Sequence, residues 1–177
     1  VPYHFMVHRN YFAGTLMSMA YSQKYALVHF INHAKDGTQF HMSNWLLHIT
    51  LADVFAINRH ETDIDKKLAT LLAQIETVET NAMDNSVLGT AQVTLLNKVP
   101  PLIKLHTDIV SLLEENGATF NNPEFTLSGF LPHSTIQKSG WLHAGDRVII
   151  NSISLVDMFP DNEWKQRRVI ATFKMKI

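Results

Sequence analysis

Residues 45–55 read Trp45-Leu46-Leu47-His48-Ile49-Thr50-Leu51-Ala52-Asp53-Val54-Phe55, and residues 131–136 read Leu131-Pro132-His133-Ser134-Thr135-Ile136. Each stretch holds a His-x-Thr followed by an aliphatic residue. In a strand successive side chains point to opposite faces, so His and Thr at i and i+2 share one face about 7 Å apart. Ile49 and Leu51 then take the other face and pack. The apolar and aromatic run around the first copy favours a strand ending near Asn58, and Leu127 to Leu131 leads into the second. Pro132 lacks a backbone donor, which suits the start of a strand or a sheet edge. Two such strands facing each other would present two imidazoles and two hydroxyls, a set able to move protons on either side of a phosphorus atom without a metal.

Outward from the motifs the chain alternates strands and helices. Tyr25 to Ile31 reads as a central strand and Gly37 as a turn. Ile64, Leu68, Leu71, Leu72, Ile75 and Val78 recur at helical spacing, with Thr62 as the expected N-cap. A second helix is expected from Pro100 or Pro101 to about Asn116, with proline in its first turn and Gly117 after its end. Val87 to Val99 has β character, and Val148 to Met158 reads as one strand. Residues 168–177 alternate again and complete a hairpin around Pro160-Asp161-Asn162. The reading is α+β, with a lobe boundary expected near residues 81–86.

The phrases Leu47-His48-Ile49-Thr50-Leu51 and Pro132-His133-Ser134-Thr135-Ile136 resemble the two-histidine (2H) phosphoesterases. That family includes RNA 2′-5′ ligases, cyclic phosphodiesterases and 2′-5′ oligoadenylate phosphodiesterases. Its two motifs stand about as far apart as here, where the second begins 85 residues after the first (position 133 against 48). The resemblance extends over most of residues 25–177, and the first two dozen residues fall outside it. Family members often carry a basic residue two places after the second motif's Thr; this chain has Gln137 there, and Lys138 follows.

The resemblance implies a single bilobal domain over residues 1–177, two pseudo-symmetric lobes of sheet plus helix around a central cleft with one motif from each. It implies His48 and His133 as catalytic and Thr50, Thr135 and Lys138 as phosphate-binding. The implied activity is metal-independent hydrolysis of a 2′,3′-cyclic phosphate or a 2′-5′ linkage in RNA or a nucleotide, with no cofactor. Ligase-like reversal, or binding of a nucleotide or RNA end without turnover, are the alternatives. Histidine titrates near neutrality, so one ring can start neutral as base and the other charged as acid. For a cyclic substrate the expectation takes His133 as base and His48 as acid, the roles exchanging with direction.

Composition sets the partner class. The 177 residues carry 15 Lys+Arg against 16 Asp+Glu, a net charge of −1, which disfavours holding long nucleic acid by general electrostatics. A short RNA, an oligonucleotide or a cyclic nucleotide fits better, bound by a monomer. Residues 131–177 hold seven basic and four acidic side chains, against eight and twelve in residues 1–130, so the second motif's lobe suits an anion better. For a base to stack on, Trp141 and Phe130 are the candidates beside the motif, whereas Trp45 and Phe55 lie in apolar runs and read as core.

Ten histidines invite a metal reading, but no His-Glu-x-x-His and no cysteine occur, so no metal is expected. His29, His33, His41, His60, His106 and His143 read as solvated or partly buried side chains. No Gly-x-Ser-x-Gly elbow appears either. No apolar run approaches the roughly 20 residues of a membrane span, and residues 11–20 imitate a signal core only weakly. A cytoplasmic location is the default expectation, and the first few residues, with Val1 in front and Met6 following, are expected to be foreign or truncated.

Overall fold

The segment from Lys24 to Phe30 is apolar on both faces, which suits a strand covered on both sides. A computed structural model, which describes residues 23–177, makes it β1 (Lys24–Phe30), inside a six-stranded sheet. Its antiparallel neighbours are β3 (His48–Ala56) and β9 (Ser152–Asp157). Beyond β9 come β10 (Gln166–Lys174) and β2 (Gln39–His41), and beyond β3 comes β6 (Thr119–Phe120). A second sheet of four strands runs β7 (His133–Thr135), β5 (Ala91–Leu96), β4 (Val78–Leu88), β8 (Arg147–Ile150). The first motif therefore sits in one sheet and the second in the other. The expectations placed on residues 11–20 and on the first few residues fall outside the described residues.

Among the described residues three α-helices complete the α+β fold: α1 (Arg59–Thr62), α2 (Ile64–Leu72) and α3 (Pro100–Glu115). Ile64, Leu68 and Leu72 of α2, and Leu102, Leu105, Ile109 and Leu113 of α3, are fully buried against Leu27, Ile49, Leu51 and Phe55 of the large sheet. Val148, Ile150 and Leu96 of the small sheet join the same core. Each such aliphatic side chain contributes roughly 1.5–3 kcal/mol by leaving water. A second cluster, built from Ala26, Val28, Phe30, Phe40, Val156, Met158 and Val169, covers the opposite face of the large sheet. Strand β1 thus feeds both clusters by alternation.

Strand β3 slips register just past its motif. Val28 pairs with Thr50 but Leu27 pairs with Ala52, so Leu51 is an extra residue, and both Leu51 and Ala52 are buried. A bulge of this kind re-aims side chains beside a site.

Several expected boundaries move. Thr62 ends α1 instead of capping the main helix; Asn58 caps α1, its Oδ1 accepting from the Glu61 N–H at 3.2 Å, and α2 starts after Asp63, which has φ 50°. Val78 begins β4, and the boundary expected near residues 81–86 lies inside that strand. The single strand expected over 148–158 is two strands in different sheets, parting at Asn151. Burial explains the break: Val148 and Ile150 are buried, then Ile153 and Leu155, a change of phase that a continuous strand cannot make. The approach to the second motif is also no strand, because Leu127–Gly129 is a 3-10 turn and β7 begins only at His133. β7 is an edge strand, as Pro132 allows.

Residues 121–132, which deliver the second motif, fold tightly around two 3-10 turns, Pro123–Phe125 and Leu127–Gly129. A Cβ added at Gly129 would stand 1.9 Å from the Glu124 carbonyl oxygen, a backbone atom unable to swing aside. Gly129→Ala should therefore cost about 1–3 kcal/mol, as overpacking generally does. Urea unfolding would show it as a lower midpoint at unchanged slope; an unshifted midpoint would mean the loop is loosely packed.

Candidate active site

His48 opens β3 and His133 opens β7. β6 pairs only with Phe55 and Ala56, so among the described strands none pairs with the motif end of β3 on that side, and β3 also touches β7. The two motifs come together across the junction of the sheets. Each imidazole is fixed in the same way: Nδ1 of His48 lies 2.7 Å from the Leu46 carbonyl oxygen, and Nδ1 of His133 lies 2.7 Å from that of Leu131. A carbonyl can only accept, so both Nδ1 atoms carry hydrogen and donate. Nε2 is then the atom of each ring that gains or loses a proton.

The two rings differ in surroundings. His48 is walled by aromatic rings, with Trp45 at a centroid separation of 4.5 Å and Phe30 at 6.2 Å; Phe40 in turn packs on both. Burial lowers its pKa from 6.5 to about 4, the Leu46 carbonyl opposes that shift, and the nearby His133 adds to it by repulsion. His48 is neutral at pH 7. His133 is half-buried at the mouth of a cavity of about 640 Å³.

That cavity is walled by Leu88, Phe125, Phe130 and Leu131, with Gly89 and Thr90 from the β4–β5 turn, and Thr50 and His133 border it. Asp53 also reaches it, its Oδ2 accepting from Asn122 Nδ2 at 2.9 Å. Thr135 is half-buried on β7, two residues beyond His133 on the same face. Lys138 is exposed in the turn closed by the Gln137–Gly140 bridge. Of the stacking candidates, Phe130 lines the cavity but is buried with its ring against His106, centroids 3.8 Å apart. Trp141 is 49% exposed, packs on His143, and does not border the cavity.

Two residues at the site escaped the sequence reading. Trp45, read as core, is half-buried against His48, since residues 42–47 turn back instead of extending β3. His106, read as an ordinary histidine, is buried and stacked on Phe130 in the cavity wall. Its place was visible as the one titratable residue on the apolar stripe of α3, at the spacing of Leu102, Ile109, Val110 and Leu113. Among the described residues no three His, Asp or Glu side chains are grouped to hold a metal ion, and no helix is long and apolar enough to cross a membrane.

Residues 25–168 match the model of the 2′-5′ RNA ligase superfamily, and the chain belongs to that superfamily of two-histidine phosphoesterases. Its fold is shared by solved structures of low sequence identity. One, titled a crystal structure of a phosphoesterase, has 16% identity and a TM-score of 0.56, covering 88% of this chain and 99% of that one. Escherichia coli LigT in complex with 3′-AMP has 15% identity and a TM-score of 0.53, with 88% and 99% covered. The protein TT0787 of Thermus thermophilus has 13% identity and a TM-score of 0.56, with 87% and 98% covered. A comparison with curated protein sequences finds no match.

The burial of His48 has a pH signature. Its folded-state pKa lies below the free value, so the unfolded chain takes up the proton first as pH falls. Stability that depends on neutral His48 is whole above pH 6.5, declines below it, and is lost by about pH 4. NMR titration should place the His48 midpoint near 4, and His48→Phe should flatten the stability loss across that window. A midpoint near 6.5 would contradict the aromatic enclosure.

Proposed function

We propose that this protein is a metal-independent phosphodiesterase that opens a 2′,3′-cyclic phosphate or cleaves a 2′-5′ linkage in a short RNA or nucleotide. The observation that carries the reading is the matched pair of imidazoles, both held through Nδ1 by the carbonyl two residues upstream. That arrangement keeps both Nε2 atoms available for proton transfer on opposite sides of a phosphorus atom. LigT, which shares the fold, is solved with 3′-AMP and with NADP+, in keeping with a nucleotide as the ligand class.

The roles we assign are the reverse of the sequence expectation. His48, half-buried against aromatic rings and neutral near pH 7, is the base: its Nε2 takes a proton from water as the oxygen attacks phosphorus. His133, at the cavity mouth, is the acid: its Nε2–H protonates the ribose oxygen as the P–O bond breaks. The cavity of about 640 Å³ then holds the nucleoside that bears the leaving oxygen, with Phe130 offering an apolar wall. Thr50 and Thr135 donate to the non-bridging oxygens, whose charge grows toward the transition state. Lys138 supplies positive charge at the rim, and Trp45 and Trp141 are the remaining rings able to meet a base. With a ribose 5′-hydroxyl in place of water, the same pair would make the linkage: the incoming oxygen bonds phosphorus of a 2′,3′-cyclic phosphate as the ring P–O3′ bond breaks and that oxygen takes the proton; the superfamily's name favours keeping this as the second reading.

His48→Ala and His133→Ala should each lower kcat by about 10²–10⁴-fold, the usual contribution of a positioned acid or base, with the double variant little worse than either. Thr50→Val and Thr135→Val keep the β-branch that suits a strand and should lose about 10²–10³-fold, as for a lost oxyanion donor. Activity on 2′,3′-cyclic nucleotides should survive EDTA. Near-wild-type turnover in either histidine variant, or zinc-dependent rescue after chelation, would overturn the reading.

A further inference from the structure

His106 is 2% exposed and uses both ring nitrogens. Its Nδ1 lies 2.7 Å from the Leu51 carbonyl oxygen and must donate to it; its Nε2 accepts the Leu127 N–H at 2.9 Å. The ring lies flat on Phe130, the planes 2° apart. Leu51 directly follows Thr50 of the first motif, while Leu127 and Phe130 lie on the short loop that ends at His133. One imidazole on α3 therefore joins the segments that carry both motifs. Filling the apolar stripe of α3 needs no imidazole, as Leu102, Leu105 and Ile109 show. A buried polar ring is costly unless both nitrogens are satisfied, and here both are.

Other features tighten the same junction. Leu127 has φ 50°, a conformation uncommon outside glycine, and its N–H is the group His106 holds. Asn122 ties the start of the loop to Asp53 of β3, and Gly129 packs on the Glu124 backbone inside it. Burial lowers the pKa of His106, which preserves one donor and one acceptor near neutrality.

We propose that His106 is a positioning residue for the catalytic pair, setting the distance and angle between the His48–Thr50 strand and the segment that presents His133. The inference rests on the two-histidine reading above. His106 need not touch substrate to matter, since a displacement of about 1 Å at reacting groups can cost on the order of 10²-fold in rate.

Two substitutions separate positioning from packing. His106→Phe keeps a flat ring against Phe130 but removes both hydrogen bonds, and His106→Gln restores one donor and one acceptor. His106→Phe should lose about 10–100-fold in kcat with KM little changed, and His106→Gln should recover part of that loss. Wild-type kcat in His106→Phe, with only a lower Tm, would overturn the proposal. Should that variant not fold, NMR of the wild-type ring decides: the neutral Nδ1–H tautomer at pH 7 supports the arrangement, and an Nε2–H tautomer or an imidazolium overturns it. If the wild type turns over no nucleotide, the functional reading fails while His106 is still tested. Crystals of His106→Phe should then show the two catalytic Nε2 atoms moved apart or turned, and an unchanged pair would overturn the proposal.

Discussion

A hydrogen bond from Nδ1 of a strand's first residue to the carbonyl two residues upstream occurs twice, at His48 and at His133. It demands a chain that turns just before the strand, so Leu46 and Leu131 both lie outside the strands they precede. It also fixes which nitrogen titrates. The strands themselves are held from behind or beside, β3 by Ile49 and Leu51 in the helix-covered core and β7 by its pairing with β5, where Ser134 lies opposite Thr94. With backbone and ring both constrained, the aim of each Nε2 is settled before a ligand arrives. That is preorganisation, which lowers a barrier because no rearrangement accompanies the reaction.

Similar local geometry does not give equal chemistry. The rings of Trp45 and Phe30 pack on His48, and partial desolvation there holds it neutral, while His133 borders the cavity. A pair of titratable groups in unlike environments is what acid and base roles require. On the reading proposed, the attacking water lies beside His48, and the nucleoside that bears the leaving oxygen lies in the apolar cavity beside His133.

Much of this was legible along the chain. Strand β1, the stripe of α3 with proline in its first turn, the strand of the first motif and the β9–β10 hairpin all carry local periodicity, and local periodicity is what a sequence displays. The departures have tertiary causes. The break at Asn151 exists because β8 and β9 belong to different sheets, which no window of residues reveals. Trp45 rather than Trp141 meets the ring of His48 because residues 42–47 fold back. Which histidine is enclosed depends on Phe30 and Phe40, distant in sequence from the motif. His106 is a helix-core position by spacing, and only the fold shows that its two nitrogens reach two different segments.

The assignment of His48 as base and His133 as acid is tested most directly with a cyclic nucleotide in which sulfur replaces the leaving ribose oxygen. A thiolate departs without needing a proton, so the general acid becomes dispensable while the base does not. Measured against the oxygen substrate, the sulfur analogue should restore most of the lost rate to His133→Ala and leave His48→Ala impaired. Rescue of His48→Ala instead would reverse the roles, and rescue of neither would contradict the acid–base pair itself.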